Sequence, residues 1–161
     1  MALSVGNRLP EATLFVPGES GPEKRSVGDL FSGKKTVLVG MPGAFTPTCH
    51  RNHLPGFIEN RDAILSKGID QIVVLTTNDT HVLRAWAEAS GARDRVRFVS
   101  DGNAEFIGKA GVAVDRSVVG MGMRSKRFAM IVEDLVVTSI SVEDQPGQTV
   151  VSSAAQILGQ L

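Results

Sequence analysis

Residues 35–75 read KTVLVGMPGAFTPTCHRNHLPGFIENRDAILSKGIDQIVVL, a run in which strand, helix and strand signals follow one another. Lys35-Thr36-Val37-Leu38-Val39-Gly40 is short, β-branched and ends at a glycine, which predicts a central strand buried on both faces. From Pro47 to Lys67 the apolar residues Phe57, Ile58, Ile64 and Leu65 recur at helical spacing, and Gly68 ends that helix. Thr46 fits the N-cap and Pro47 the first helical position, where a missing N–H costs nothing. Pro55-Gly56 interrupts the pattern, so a kink there or two consecutive helices is expected rather than one straight rod. Ile69 to Leu75 is a second buried strand. The strand–helix–strand order implies a right-handed parallel crossover, and the fold class is α/β.

Outward from this unit, Glu11 to Val16 fits a short strand that Pro17, Gly18, Ser20, Gly21 and Pro22 break into a loop. Asn78, Asp79 or Thr80 caps a helix with Val82, Leu83 and Trp86 on one face, ending near Gly91. Val96 to Val99 is a further strand, followed by a short helix around Ala104 to Lys109. Phe128 to Val132 and Leu135 to Val142 are β-rich runs separated by Glu133-Asp134, which predicts an antiparallel hairpin despite the absence of a turn glycine. Gln145-Pro146-Gly147 is a loop. Ser152 or Ser153 then caps a last helix carrying Ala154, Ile157, Leu158 and Leu161.

A chain of 161 residues, 42% hydrophobic and 21% charged, suits one globular domain over residues 1–161. Seventeen basic residues balance seventeen acidic ones, so no global field favours nucleic acid or an anionic membrane surface. The start MALSVGNRLPEATLF has no basic segment followed by an apolar run of signal-peptide length, and no later stretch approaches the roughly 20 apolar residues of a membrane span. The expected location is the cytoplasm. Cys49 is the single cysteine, which excludes an intramolecular disulfide and a multi-thiolate metal site and fits a reducing compartment. Gly120-Met121-Gly122 lacks the third glycine and the preceding strand of a dinucleotide loop, so no cofactor is assigned to it.

A lone cysteine is either a buried filler or a reactive thiol. Thr46-Pro47-Thr48-Cys49 puts this one in the first turn of a helix, which favours the thiolate. Lowering a thiol from pKa ~8.5 to ~6 takes about 3.4 kcal/mol, whereas a helix N-terminus supplies ~0.3–2. A fixed cation must supply the rest. His50, Arg51 and His53 lie in the same segment, and Arg124, Lys126 and Arg127 form a later basic cluster; local sequence does not choose among them.

Pro42-Gly43-Ala44-Phe45-Thr46-Pro47-Thr48-Cys49 resembles the active-site signature of peroxiredoxins, proline-x-x-x-threonine-x-x-cysteine. The continuation His53-Leu54-Pro55-Gly56-Phe57 is similar to the peroxiredoxin-5 subfamily. Asn78-Asp79, Ala85-Trp86, Asp101-Gly102, Arg124-Ser125-Lys126-Arg127-Phe128 and Ser152-Ser153-Ala154 carry the similarity over nearly the whole chain. The resemblance implies a thioredoxin-like fold and a homodimer formed near the active site. It makes Cys49 the peroxidatic cysteine, Thr46 the hydroxyl that orients the peroxide, Pro42 a lid over the thiolate and Arg127 the active-site arginine. Arg124 and Lys126 are then expected to face solvent, as are His50 and His81, and Trp86 belongs to the core. Each assignment has a plainer counterpart: Thr46 as an N-cap alone, Pro42 as a loop residue and Arg127 as an exposed strand residue; His53 either lines the site or hydrogen-bonds the backbone near it.

The implied reaction is attack of the Cys49 thiolate on a peroxide, giving a sulfenic acid that another thiol must reduce. Val74 stands where plant relatives carry a second cysteine, so the reductant comes from outside. Glutathione with glutaredoxin leads, and thioredoxin is the alternative. A redox sensor that passes Cys49 oxidation to a partner protein would use the same residues. A thiol-transferase is disfavoured, because Thr46 stands where a Cys-x-x-Cys motif needs its first cysteine.

Overall fold

The computed structural model describes residues 2–161. Seven strands form one sheet in the order β2-β1-β5-β4-β3-β8-β9. In chain order they are β1 (Thr13–Gly18), β2 (Gly21–Ser26), β3 (Lys35–Gly40), β4 (Gln71–Thr76), β5 (Arg97–Ser100), β8 (Phe128–Glu133) and β9 (Val136–Val142). A separate two-stranded ribbon, β6 (Ala113–Asp115) with β7 (Met123–Ser125), interrupts the series. β3 pairs in parallel with β4 and antiparallel with β8, so the sheet is mixed and β3 lies inside it.

Alternation along the central strands feeds two cores. Leu38, Val73, Leu75, Val99, Met130 and Val132 face one side, where α1 (Val27–Phe31) and α5 (Glu105–Ala110) bring Leu30, Phe31, Phe106 and Ile107. Val37, Val39, Ile72, Val74 and Ile131 face the other. There α2 (Leu54–Glu59), α3 (Arg61–Ser66), α4 (Thr80–Ser90) and α6 (Ala154–Gln160) supply Phe57, Ile64, Leu83, Trp86 and Ile157. Each such side chain contributes about 1.5–3 kcal/mol when fully buried. Cys49 belongs to the second core.

Several expectations are corrected. Pro17 and Pro22 do not break the first strand; they face each other in a β1–β2 hairpin. Proline is tolerated because β2 is an outer strand and the β1–β5 ladder reaches only Phe15↔Ser100, leaving Pro17 beyond it. The long helical segment begins at Pro47, but its parts meet at Asn60 rather than at Pro55-Gly56. The proline instead marks a distortion one turn earlier. Residues Cys49–His53 form a π turn in which Leu54 N–H donates to Cys49 O, widening the helix just before Pro55, which has no N–H to give. The β8–β9 turn falls at Asp134-Leu135, both at positive φ (44° and 73°). The Asp134 carboxylate accepts from Gly33 N–H at 2.6 Å, and its own N–H donates to Lys34 O at 3.0 Å, which fixes this glycine-free turn.

Candidate active site

Because β3 and β8 run antiparallel with Gly40 opposite Phe128, the loop leaving β3 and the residue entering β8 emerge at the same end of the sheet. The first leads through Pro42 to Cys49, and the second is Arg127. Arg127 Nη2 donates to Cys49 Sγ at 3.1 Å across 78 positions of sequence. Both are buried, at 3% and 0% exposure. The other guanidinium nitrogens are also engaged: Nη1 donates to His53 Nδ1 at 2.9 Å and Nε to Pro146 O at 3.0 Å. A planar fork anchored on three sides has one orientation.

His53 follows Cys49 by four residues, so both side chains lie on one face of the distorted helix. It is 1% exposed and its Nε2 lies 2.8 Å from Ser152 O. Burial is the main reason its pKa falls from 6.5 to about 4, with the Ser152 carbonyl opposing and the Arg127 charge adding to the drop. Ser152 is fixed in turn by Glu143, whose Oε2 accepts from Ser152 N–H at 2.8 Å and Oγ–H at 2.6 Å. Burial pushes the Glu143 carboxyl up, but these bonds and those from Val150 and Val151 N–H outweigh it and hold it below the ordinary range. Glu143 N–H also donates to Arg127 O at 2.9 Å.

Thr46 does not cap the helix with its side chain. Its hydroxyl donates to Gly43 O at 2.6 Å, while its carbonyl accepts from His50 N–H at 2.8 Å. Pro42 is buried and its carbonyl accepts from Arg124 Nη1 at 3.2 Å, so Arg124 is half-buried and holds the loop instead of facing solvent. Lys126 is exposed, as is His81. His50 is not simply solvated: Trp86, fully buried in the core, donates its Nε1–H to His50 Nδ1 at 2.9 Å. Glu143 carries no signal in the sequence because it sits just past a strand, far from the motif. His53 was legible as a candidate, since it lies in the cysteine's own segment and opens the run similar to the peroxiredoxin-5 subfamily, and its i, i+4 spacing from Cys49 agrees with that.

A cavity of about 320 Å³ is lined by Pro42, Val114, Arg116, Lys126, Arg127 and Pro146, and so lies against two of the residues around the sulfur. A larger one, about 470 Å³, lies between the β1–β2 hairpin and α4 and contains none of the motif residues. Chemically, a thiol fixed against a permanent cation, with a hydroxyl and a buried proline on the adjoining loop, suits a nucleophilic sulfur.

A family model described as Redoxin matches residues 4–158. Peroxiredoxin-2E, chloroplastic, of Arabidopsis thaliana is 43% identical over 164 residues, covering 99% of this chain and 70% of that protein. Peroxiredoxin-2B of the same plant is 41% identical over 160 residues, covering 99% and 98%. Reduced Prx3 of Vibrio vulnificus, solved in complex with H2O2, superposes with a TM-score of 0.92 at 41% identity over 98% of each chain. Similarity of this extent, over a thioredoxin-like fold with one cysteine at the motif, means that the chain belongs to the peroxiredoxin family of thiol-dependent peroxidases, in its type II, peroxiredoxin-5-like form.

Proposed function

We propose that the chain reduces hydrogen peroxide and organic hydroperoxides through Cys49 and is recycled by an external thiol, with glutathione and glutaredoxin as the leading reductant. The observation that carries this reading is the 3.1 Å bond from Arg127 Nη2 to Cys49 Sγ, with both groups out of water. A guanidinium stays protonated and favours the thiolate.

The thiolate attacks the terminal peroxide oxygen: an S–O bond forms, the O–O bond breaks, and the departing alkoxide or hydroxide takes a proton to leave as alcohol or water. Arg127 stabilises the charge that moves from sulfur to the leaving oxygen. Thr46 has committed its proton to Gly43 O, so its oxygen is left to accept from the peroxide O–H, which orients the substrate. Pro42, pinned through its carbonyl by Arg124, keeps bulk water from the sulfur. One glutathione then displaces water from the sulfenic acid to give a mixed disulfide, and a second glutathione attacks that disulfide, releasing the Cys49 thiol as oxidised glutathione forms.

Phe45, Val118, Val119 and Met123 are exposed apolar residues beside the site, on the 42–46 loop and the β6–β7 hairpin. This is the face on which a second copy of the chain would pair. Stopped-flow peroxide consumption by the purified protein, run in parallel with glutathione, glutathione plus glutaredoxin, and thioredoxin systems, tests the reading. No consumption with any of them sinks it; turnover with thioredoxin alone replaces the proposed reductant.

A further inference from the structure

An unbroken line of hydrogen bonds runs from the thiol to a carboxylate: Cys49 Sγ, Arg127, His53, Ser152 O and, through the Ser152 N–H and hydroxyl, Glu143. Its middle link settles where a proton sits. A guanidinium has only donors, so His53 Nδ1 is the acceptor in the 2.9 Å contact with Arg127 Nη1. A carbonyl has only lone pairs, so Nε2 carries the hydrogen in the 2.8 Å contact with Ser152 O. The neutral Nε2–H tautomer alone satisfies both partners. The other neutral tautomer opposes both, and an imidazolium turns an N–H against the guanidinium.

We infer that His53 is a positioning residue for the peroxide reaction: as a neutral acceptor it holds one arm of Arg127 so that the other arm stays on the Cys49 sulfur. The inference rests on the peroxidase reading above. Without His53, Arg127 keeps only the Pro146 O contact on Nε, and its terminal nitrogens are free to leave the sulfur. The charged groups facing the imidazole are Arg127, immediately before β8, and Glu143, just beyond β9; Cys49, on the same helix as His53, meets the same guanidinium. Phe57 meets the ring edge-on at 5.5 Å between centroids, which closes the remaining side to water. Burial therefore works with geometry, since desolvation disfavours the imidazolium.

The test compares the parent with His53→Leu and His53→Gln. Glutamine offers an amide oxygen to Arg127 and an amide N–H to Ser152 O, whereas leucine fills the space with neither. The ultraviolet absorption of the thiolate is titrated in reduced protein without peroxide, and first-turnover peroxide reaction is followed separately. His53→Leu is expected to move the titration midpoint up by about one pH unit and slow the reaction about tenfold, with His53→Gln recovering most of both. A leucine variant that titrates and reacts like the parent overturns the inference, as does a glutamine variant no better than leucine. Nitrogen NMR of the parent gives an answer independent of any variant's folding. A neutral ring protonated on Nε2 at neutral pH is expected, and a proton on Nδ1 refutes the assignment. A parent that titrates as expected but consumes no peroxide removes the peroxidase reading and leaves the His53–Arg127–Cys49 link in place.

Discussion

Gly40 ends β3 directly opposite Phe128, which begins β8, and the Phe128 ring occupies the space that a Cβ on Gly40 would need. The absent side chain lets the ring cross the strand end, so that Arg127 and the loop toward Cys49 leave the sheet together. Gly40→Ala is expected to destabilise the protein by about 1–3 kcal/mol, the usual cost of forcing extra volume into a packed core. Peroxide reaction should fall with it, because displaced Phe128 drags its neighbour Arg127. Urea unfolding checks the first point; a variant as stable as the parent contradicts it.

Arg127→Lys keeps the charge and loses the fork. A lysine ammonium is a single point on a flexible stem and does not reproduce the planar contacts to Cys49, His53 and Pro146. We expect at least tenfold slower peroxide reaction and a smaller thiolate fraction at neutral pH, both measured on reduced protein. Parent-like kinetics would show that charge alone suffices.

Thr46→Val removes an oxygen of the same size from the loop and deletes the 2.6 Å bond to Gly43 O. If this hydroxyl orients the peroxide, the rate constant drops about tenfold or more while the thiolate titration stays in place. A shifted titration with an unchanged rate would instead assign Thr46 to the cysteine.

Recycling is set by the single cysteine. One equivalent of peroxide followed by glutathione should give a mixed disulfide at Cys49, read as an added glutathione mass on the intact chain. Excess peroxide without a thiol should carry the sulfur on to sulfinic acid and inactivate the protein. Mass spectra dominated by a dimer linked through two Cys49 residues would remove glutathione from its leading place.

Buried His53 also makes stability depend on pH. Its pKa lies at about 4 in the folded chain, lowered from 6.5 mainly by burial. Between those values the unfolded chain binds a proton that the folded one refuses, so stability rises with pH across this window and falls as pH drops from 6.5 toward 4. Below about 4 both states carry the proton and the dependence ends. The change is on the order of 3 kcal/mol. Urea unfolding of parent and His53→Gln between pH 7 and 4.5 should show a shallower slope in the variant; equal slopes would place the proton uptake elsewhere.

Features that depend on neighbours in the chain were legible without a structure. β3 followed from an unbroken apolar run, and α4 from cap signals at both ends, where the structure takes Asp79 out of Asn78, Asp79 and Thr80 and ends the helix at Gly91. The motif from Pro42 to Cys49 and the start of its helix at Pro47 were legible for the same reason. The β1–β2 hairpin was not, because proline reads as a breaker until the strand is known to lie at a sheet edge. Nor was the joint at Asn60 or the use of Glu143.

The family resemblance singles out Arg127, but how that cation reaches the sulfur and what holds it there emerge only in three dimensions. Arg124, Lys126 and Arg127 are indistinguishable by charge, yet they end on Pro42 O, in solvent and on Cys49. The antiparallel register of β3 and β8 brings residue 127, rather than Arg124 or Lys126, to the buried end of the sheet beside the loop toward Cys49. His53 acquires its tautomer only when Ser152 and Arg127 close on it from distant segments. A hydrogen bond is directional and fades within a fraction of an ångström, so it is fixed by packing in three dimensions and leaves no periodic trace in the chain.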